Sequence, residues 1–227
     1  MNGICIPWWK DWPTPRAIIF DLDNCLASAH EIGPEVCAPA FAAIRKASRG
    51  ILSDERLNAA FADCFWHSLD SVAAKYGFSD EMRAVGWKYF SQIEVKGPLH
   101  GYADLAALPE LPADLFLVTS GFRRLQTSKI KALGVEALFR AIYVDAIDES
   151  NRLGKRRLFE LISSTYRLHP ADVLVVGDSF ESEIDAGNRL GMRTVQILRA
   201  GVQRTDHATH HITSLAELKH FFVTSAD

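Results

Sequence analysis

The chain has 227 residues, 48% hydrophobic and 23% charged, with a formal net charge of −3. That balance fits a globular protein with a substantial core, either one large domain or a core carrying an inserted module. It offers no electrostatic footprint for nucleic acid or an anionic membrane.

The four cysteines (Cys5, Cys25, Cys37 and Cys64) form no Cys-x-x-Cys pair. Neither a zinc knuckle nor a disulfide framework is expected, and a reducing cytoplasm is the simplest setting. No signal peptide is expected from the amino terminus, and no apolar run is long enough to span a bilayer. Residues 1 to 15, with Trp8, Trp9 and Trp12, follow no period. They are expected to pack on the surface of the domain.

Ala17 to Phe20 is a short apolar run that predicts a buried strand. Asp21 and Asp23 follow it. Charge has no place inside a buried parallel strand, so these acids belong at or just past its carboxyl end, where open α/β sheets bind ligands. Two buried carboxylates together point to a metal, a phosphate group or both. An acidic turn ending the strand is the plainer alternative.

The next convincing buried strand is Leu115 to Ser120. One helix with short loops usually joins neighbouring parallel strands, so the much longer stretch here predicts an insertion. Its apolar stripes predict helices: Val36, Ala40, Phe41 and Ile44; then Leu57, Phe61, Cys64, Phe65 and Val72; then Met82, Val85, Tyr89 and Ile93. A helical module beside an acidic turn suggests a lid. Its candidate substrate contacts are His30, Glu31, Arg45, Lys46, Arg49 and Lys75, with Arg45 or Arg49 expected to meet a second anionic group.

Tyr102 to Leu108 predicts a short helix, stopped by Pro109 and Pro112. The second strand ends in Thr119-Ser120-Gly121, whose hydroxyls and backbone donors suit an oxyanion. A helix from Arg123 to Leu133 and a strand from Ala141 to Ala146 follow. Lys155 sits at a helix start, where the helix dipole favours anions rather than cations. That mismatch hints at an anionic ligand.

Within Ala171 to Ser179 another apolar strand ends in Gly177-Asp178, and Asp178 leaves it as Asp21 leaves the first. Glu181, Glu183 and Asp185 come soon after. Carboxylates delivered by two strands to one sheet edge suit Mg²⁺, a hard cation. Thr194 to Leu198 predicts a final strand. Ser214 to Glu217 is a capping box for a terminal helix. His207, His210 and His211 are expected to be surface histidines in a loop, and Cys25 a buried thiol.

Asp21-Leu22-Asp23, Thr119-Ser120-Gly121, Lys155, and Gly177-Asp178 with Glu183 resemble the four ordered signatures of the haloacid dehalogenase-like (HAD) hydrolase superfamily. The resemblance runs from about Ala17 to Leu218. It implies an α/β fold: a Rossmann-like three-layer core with a central parallel sheet (residues 1–26 and 98–227) and an inserted α-helical cap (27–97). It implies Asp21 as nucleophile and metal ligand, and Asp23 as general acid and base with its backbone carbonyl on the metal. Thr119, Ser120 and Lys155 would bind phosphate; Asp178 and Glu183 would complete the metal site. The cofactor would be Mg²⁺. The partner would be a small phosphorylated substrate, with no nucleic acid and no membrane.

The chain departs from the family pattern at Cys25, where Thr or Val is frequent, and at Glu183, where Asp is common. An acid at position 23 marks the phosphatase branch. A pyrimidine 5′-nucleotidase, a sugar-phosphate mutase, a haloacid dehalogenase and a phospho-receiver module are the alternatives. The sequence does not show the oligomeric state.

Overall fold

The computed structural model describes residues 13–222, so the tryptophan-rich segment through Trp12 lies outside the described residues. Six parallel strands form one sheet: β1 (Ala17–Phe20), β2 (Asp114–Gly121), β3 (Ala141–Ala146), β4 (Val173–Gly177), β5 (Arg193–Ile197) and β6 (His210–Ile212). Their order is β3-β2-β1-β4-β5-β6, with β1 central. The order reverses between β1 and β4, and a crevice opens at the carboxyl ends there.

Apolar residues on both faces of the central strands explain the layering. Ile18 and Phe20 pack with Leu117, Ile130 and Leu218 on one face. Ala17 and Ile19 pack with Phe116, Phe159 and Ile162 on the other. Leu117 and Phe116 belong to β2; the other partners come from α5 (Arg123–Leu133), α6 (Lys155–Tyr166) and the 3-10 helix Leu215–Phe222. The architecture is α/β and Rossmann-like.

Between β1 and β2 the chain builds α1 (Pro34–Ser48), α2 (Asp54–Asp63), α3 (Leu69–Tyr76) and α4 (Asp80–Phe90). Pro34 opens α1, and Arg49 ends it in the left-handed region (φ 48°). Ser53 and Ser79 cap α2 and α4, accepting from Arg56 N and Met82 N. These helices share an apolar cluster with Ile44, Leu57, Val72 and Met82 at its centre. Phe122 and Leu125 of the β2–α5 region join it, so the module rests on the core.

The two chain crossings between module and sheet are tied together. The Glu31 carboxylate accepts from the backbone N–H groups of His100 and Gly101. Arg199 holds the returning chain as well. It donates to both oxygens of Asp104 (2.8 and 2.9 Å) and to the Cys25 carbonyl (2.9 Å), and lies over the Tyr102 ring.

Four details differ from the sequence expectations. The second helical stripe is two helices, broken after Asp63, because Phe65, Trp66 and His67 turn the chain before Ser68 restarts it. The segment after Tyr102 is a 3-10 helix, Ala103–Glu110. His210 and His211 are not in a loop: they pair beside β5 as the short edge strand β6, half-buried. The terminal helix is 3-10, although Glu217 reaches back to the N–H groups of Thr213 and Ser214 as a capping box requires. No helix among the described residues is long and apolar enough to cross a membrane.

Candidate active site

All seven sequence-predicted site residues (Asp21, Asp23, Thr119, Ser120, Lys155, Asp178 and Glu183) line one cavity of about 320 Å³ between the sheet edge and the helical module. Each is placed by a nearby backbone feature.

Asp21 follows β1 directly, its N–H still donating to the Val176 carbonyl of β4 (3.0 Å). It is 6% exposed. Asn24 then adopts the left-handed conformation (φ 56°) and turns the chain. Its side chain fixes that turn, accepting from Ala29 N (3.1 Å) and donating to the Phe65 carbonyl of the module (3.2 Å). Asp178 follows β4, and Glu183 lies in the irregular helical turn Phe180–Ile184. Gly177 permits that approach, because a Cβ there would stand 2.4 Å from Glu183 Cγ.

Lys155 is the first residue of α6, whose preceding Gly154 has φ 79°. Buried Asp145 of β3 sets this corner. It accepts from Gly154 N (2.8 Å), Ser120 Oγ (3.2 Å) and Arg152 Nε (2.9 Å). Lys155 Nζ then donates to Asp21 Oδ1 and Glu183 Oε1. The cation that suits the helix dipole poorly is thus matched by two buried carboxylates.

Electrostatics follow from this crowding. Burial pushes the Asp21 carboxyl up to about 7; Lys155 opposes the shift and Glu183 adds to it. Burial, then the charges of Glu183 and Asp21, push Asp178 up to about 8. Burial works against the Lys155 charge, but Asp21 and Glu183 more than offset it, so the ammonium is held above its ordinary range. Cys25 is fully buried, and burial raises its thiol well above the usual value.

Asp23 is held differently. Its carboxylate takes two hydrogen bonds from Lys129 Nζ (2.8 and 3.0 Å) and one from Gln126 Nε2 (2.8 Å). Lys129 and Gln126 are buried on α5. Two acids on one turn therefore face different partners.

The sequence reading missed Lys129, Gln126, Asp145 and Arg152. Lys129 carried a signal: it lies four residues after Leu125 and next to Ile130, on the inward side of an amphipathic helix. The six cap residues chosen as substrate contacts need correction, because none lines the cavity. Arg45 bonds Asp54 and Asn58, Arg49 pairs with Glu81, and Lys75 pairs with Asp63. Glu31 ties the linkers, His30 stacks on Phe65 (4.4 Å between ring centres) and Lys46 is exposed. Helix periodicity does not say which face of the module meets the core.

Asp21, Asp178 and Glu183 each offer an oxygen within 4.8 Å of the others. Such a set of closely spaced, mutually repelling oxygens fits a hard divalent cation. The Asp23 carboxylate lies outside that set, committed to α5.

A sheet edge that combines buried carboxylates, an ammonium and hydroxyl donors under a helical roof defines a hydrolase site. Residues 15–191 match the family model described as haloacid dehalogenase-like hydrolase. The chain belongs to that family. It is similar to a protein of Methanocaldococcus jannaschii named glyceraldehyde 3-phosphate phosphatase, at 26% identity, covering 89% of this chain and 95% of the relative. Among solved structures it resembles a HAD phosphatase from Thermococcus onnurineus (TM-score 0.60, 21% identity, 91% and 97% of the two chains). It also resembles an L-2-haloacid dehalogenase from Xanthobacter autotrophicus (TM-score 0.56, 12% identity, 92% and 98%). The fold alone thus spans two chemistries.

Proposed function

We propose that this protein is a phosphatase that hydrolyses a phosphate monoester through an aspartyl-phosphate on Asp21. The observation that carries the reading is the split between the two acids: Asp21 beside Lys155, Asp23 beside Lys129 and Gln126. Displacement of halide needs no proton donor. An alkoxide leaving group does, and Asp23, on the same turn as Asp21 and lining the same cavity, takes that role in this reading. The name of the Methanocaldococcus relative supports the same class of substrate.

In the first step an Asp21 oxygen attacks phosphorus and the P–O bond to the alcohol breaks. The alkoxide takes the proton of Asp23. In the second step water attacks the phosphorus of the acyl phosphate, giving its proton to Asp23, and the bond to Asp21 breaks to release phosphate. Lys155 offsets the repulsion between carboxylate and phosphate and, with Thr119 and Ser120, holds the phosphoryl group in line. A divalent cation, for which Mg²⁺ is the candidate, would sit on Asp21, Asp178, Glu183 and the Asp23 backbone carbonyl, and would supply further positive charge against the phosphoryl oxygens. The helical module, residues 27–97, serves as the cap that closes the cavity against water.

The test is phosphate release from a panel of monoesters, with and without Mg²⁺, alongside Asp21→Asn. The wild type is expected to release phosphate and the variant to be inactive. A rapid acid quench with a labelled ester should leave label on the wild-type protein only. Equal activity of the two proteins would overturn the assignment.

A further inference from the structure

Above the acids the cavity changes character. Phe41 stands edge-on to Phe65 (6.3 Å, 71°) and to Phe90 (5.8 Å, 63°), and Phe90 stacks on Phe122 (5.6 Å, 16°). These four side chains line the cavity, and Trp66 lines it as well. The Trp66 ring reaches the core loop, where a Cβ on Gly201 would stand 2.7 Å from its edge. The aromatic wall therefore runs from the module onto the core.

Charge points the same way. Each lysine and arginine on the lining already has acidic partners. Lys155 serves Asp21 and Glu183, and Lys129 serves Asp23. Arg152 serves Asp145 and Asp70. His67, the remaining basic side chain, is exposed, and Glu181 adds a further acid. Apart from His67, a second anionic group on a substrate would find rings and carboxylates rather than an unpaired lysine or arginine.

Resting on the phosphatase reading above, we infer that the preferred substrate is a phosphate monoester of an uncharged alcohol bearing a planar ring. The phosphate lies on the acid and lysine floor, and the ring lies against the Phe41–Phe65 wall. At about 320 Å³ the cavity is at the lower end of small-molecule sites, which leaves space for a ring beyond the phosphate. Ring–ring contact favours planar aromatic groups over saturated ones of equal size.

The experiment compares kcat/KM for benzyl phosphate, cyclohexylmethyl phosphate, 4-carboxybenzyl phosphate and glycerol phosphate, using the full-length protein with Mg²⁺. Benzyl phosphate is expected to exceed the cyclohexylmethyl and glycerol esters by about two- to ten-fold, the scale of one aromatic contact, and to exceed the carboxybenzyl ester because the carboxylate meets no unpaired lysine or arginine. Phe65→Leu should lower the ratio of benzyl to glycerol phosphate turnover by a similar factor. Phe41→Leu provides a second reading of the ratio should Phe65→Leu misfold. Comparable or greater activity on glycerol phosphate, or on the carboxybenzyl ester, would overturn the ring inference and leave the phosphatase reading standing. No phosphate release from any ester would overturn both.

Discussion

Lys155 offers the sharpest test of the site. Its ammonium is buried between Asp21 and Glu183, themselves buried. Lys155→Met keeps an unbranched apolar stem one atom shorter and removes the ammonium together with its hydrogen bonds. Stranding a buried charge by deleting its partner costs about 3–5 kcal/mol. At roughly 2–4 °C per kcal/mol for a chain of this size, the melting temperature should fall by about 6–20 °C at pH 8 in metal-free buffer. At pH 6 the deficit should shrink. Burial holds the Asp21 carboxyl at about 7 even with Lys155 present, so at pH 6 it carries a proton and has less need of a partner. The measurement is thermal unfolding followed by circular dichroism at both pH values. A variant as stable as the wild type at pH 8 would refute the buried triad.

Other outcomes follow from the same geometry. Asp21 and Asp178 titrate near 7 and 8 in the folded protein, against about 4 in an unfolded chain. The folded state therefore holds the extra protons, and metal-free stability should fall as pH rises from about 4 through 8. Because Mg²⁺ competes with those protons, its increment in melting temperature should grow between pH 6 and pH 9; a flat increment would contradict the ligand set. Gly177→Ala should lower both turnover and stability, by about 1–3 kcal/mol for the latter, because the new methyl displaces Glu183; unfolding curves and phosphate release check both. Asp23→Asn should slow hydrolysis of alkyl phosphates far more than of 4-nitrophenyl phosphate, whose leaving group needs little protonation. Equal slowing on both esters would remove Asp23 from the role of proton donor.

The parts of the molecule that were legible in the sequence share one property: their signal is local. Ala17 to Phe20 and Val173 to Gly177 are apolar runs that stop at an acid, and each forms a strand of the central sheet with its acid on the cavity. The illegible parts depend on what faces what. Lys129 and Gln126 reach Asp23 from far along the chain, hidden on a helix that otherwise shows ordinary amphipathic spacing. The cations of α1 looked suited to a substrate, yet Arg45 and Arg49 spend their charge on partners within the module. β6 was lost among histidines because a three-residue edge strand has no room for a period. The break between α2 and α3 falls where Phe65 and Trp66 continue the apolar pattern while the backbone does not.

The clasp made by Glu31 bears on how the fold tolerates its own insertion. By gripping the backbone of His100 and Gly101, one carboxylate holds the outgoing and returning segments side by side. Closing the intervening stretch costs entropy that grows only with the logarithm of its length, and this contact closes it at the base of the module. The outgoing and returning segments are thus fastened at one place, close to the strands they serve.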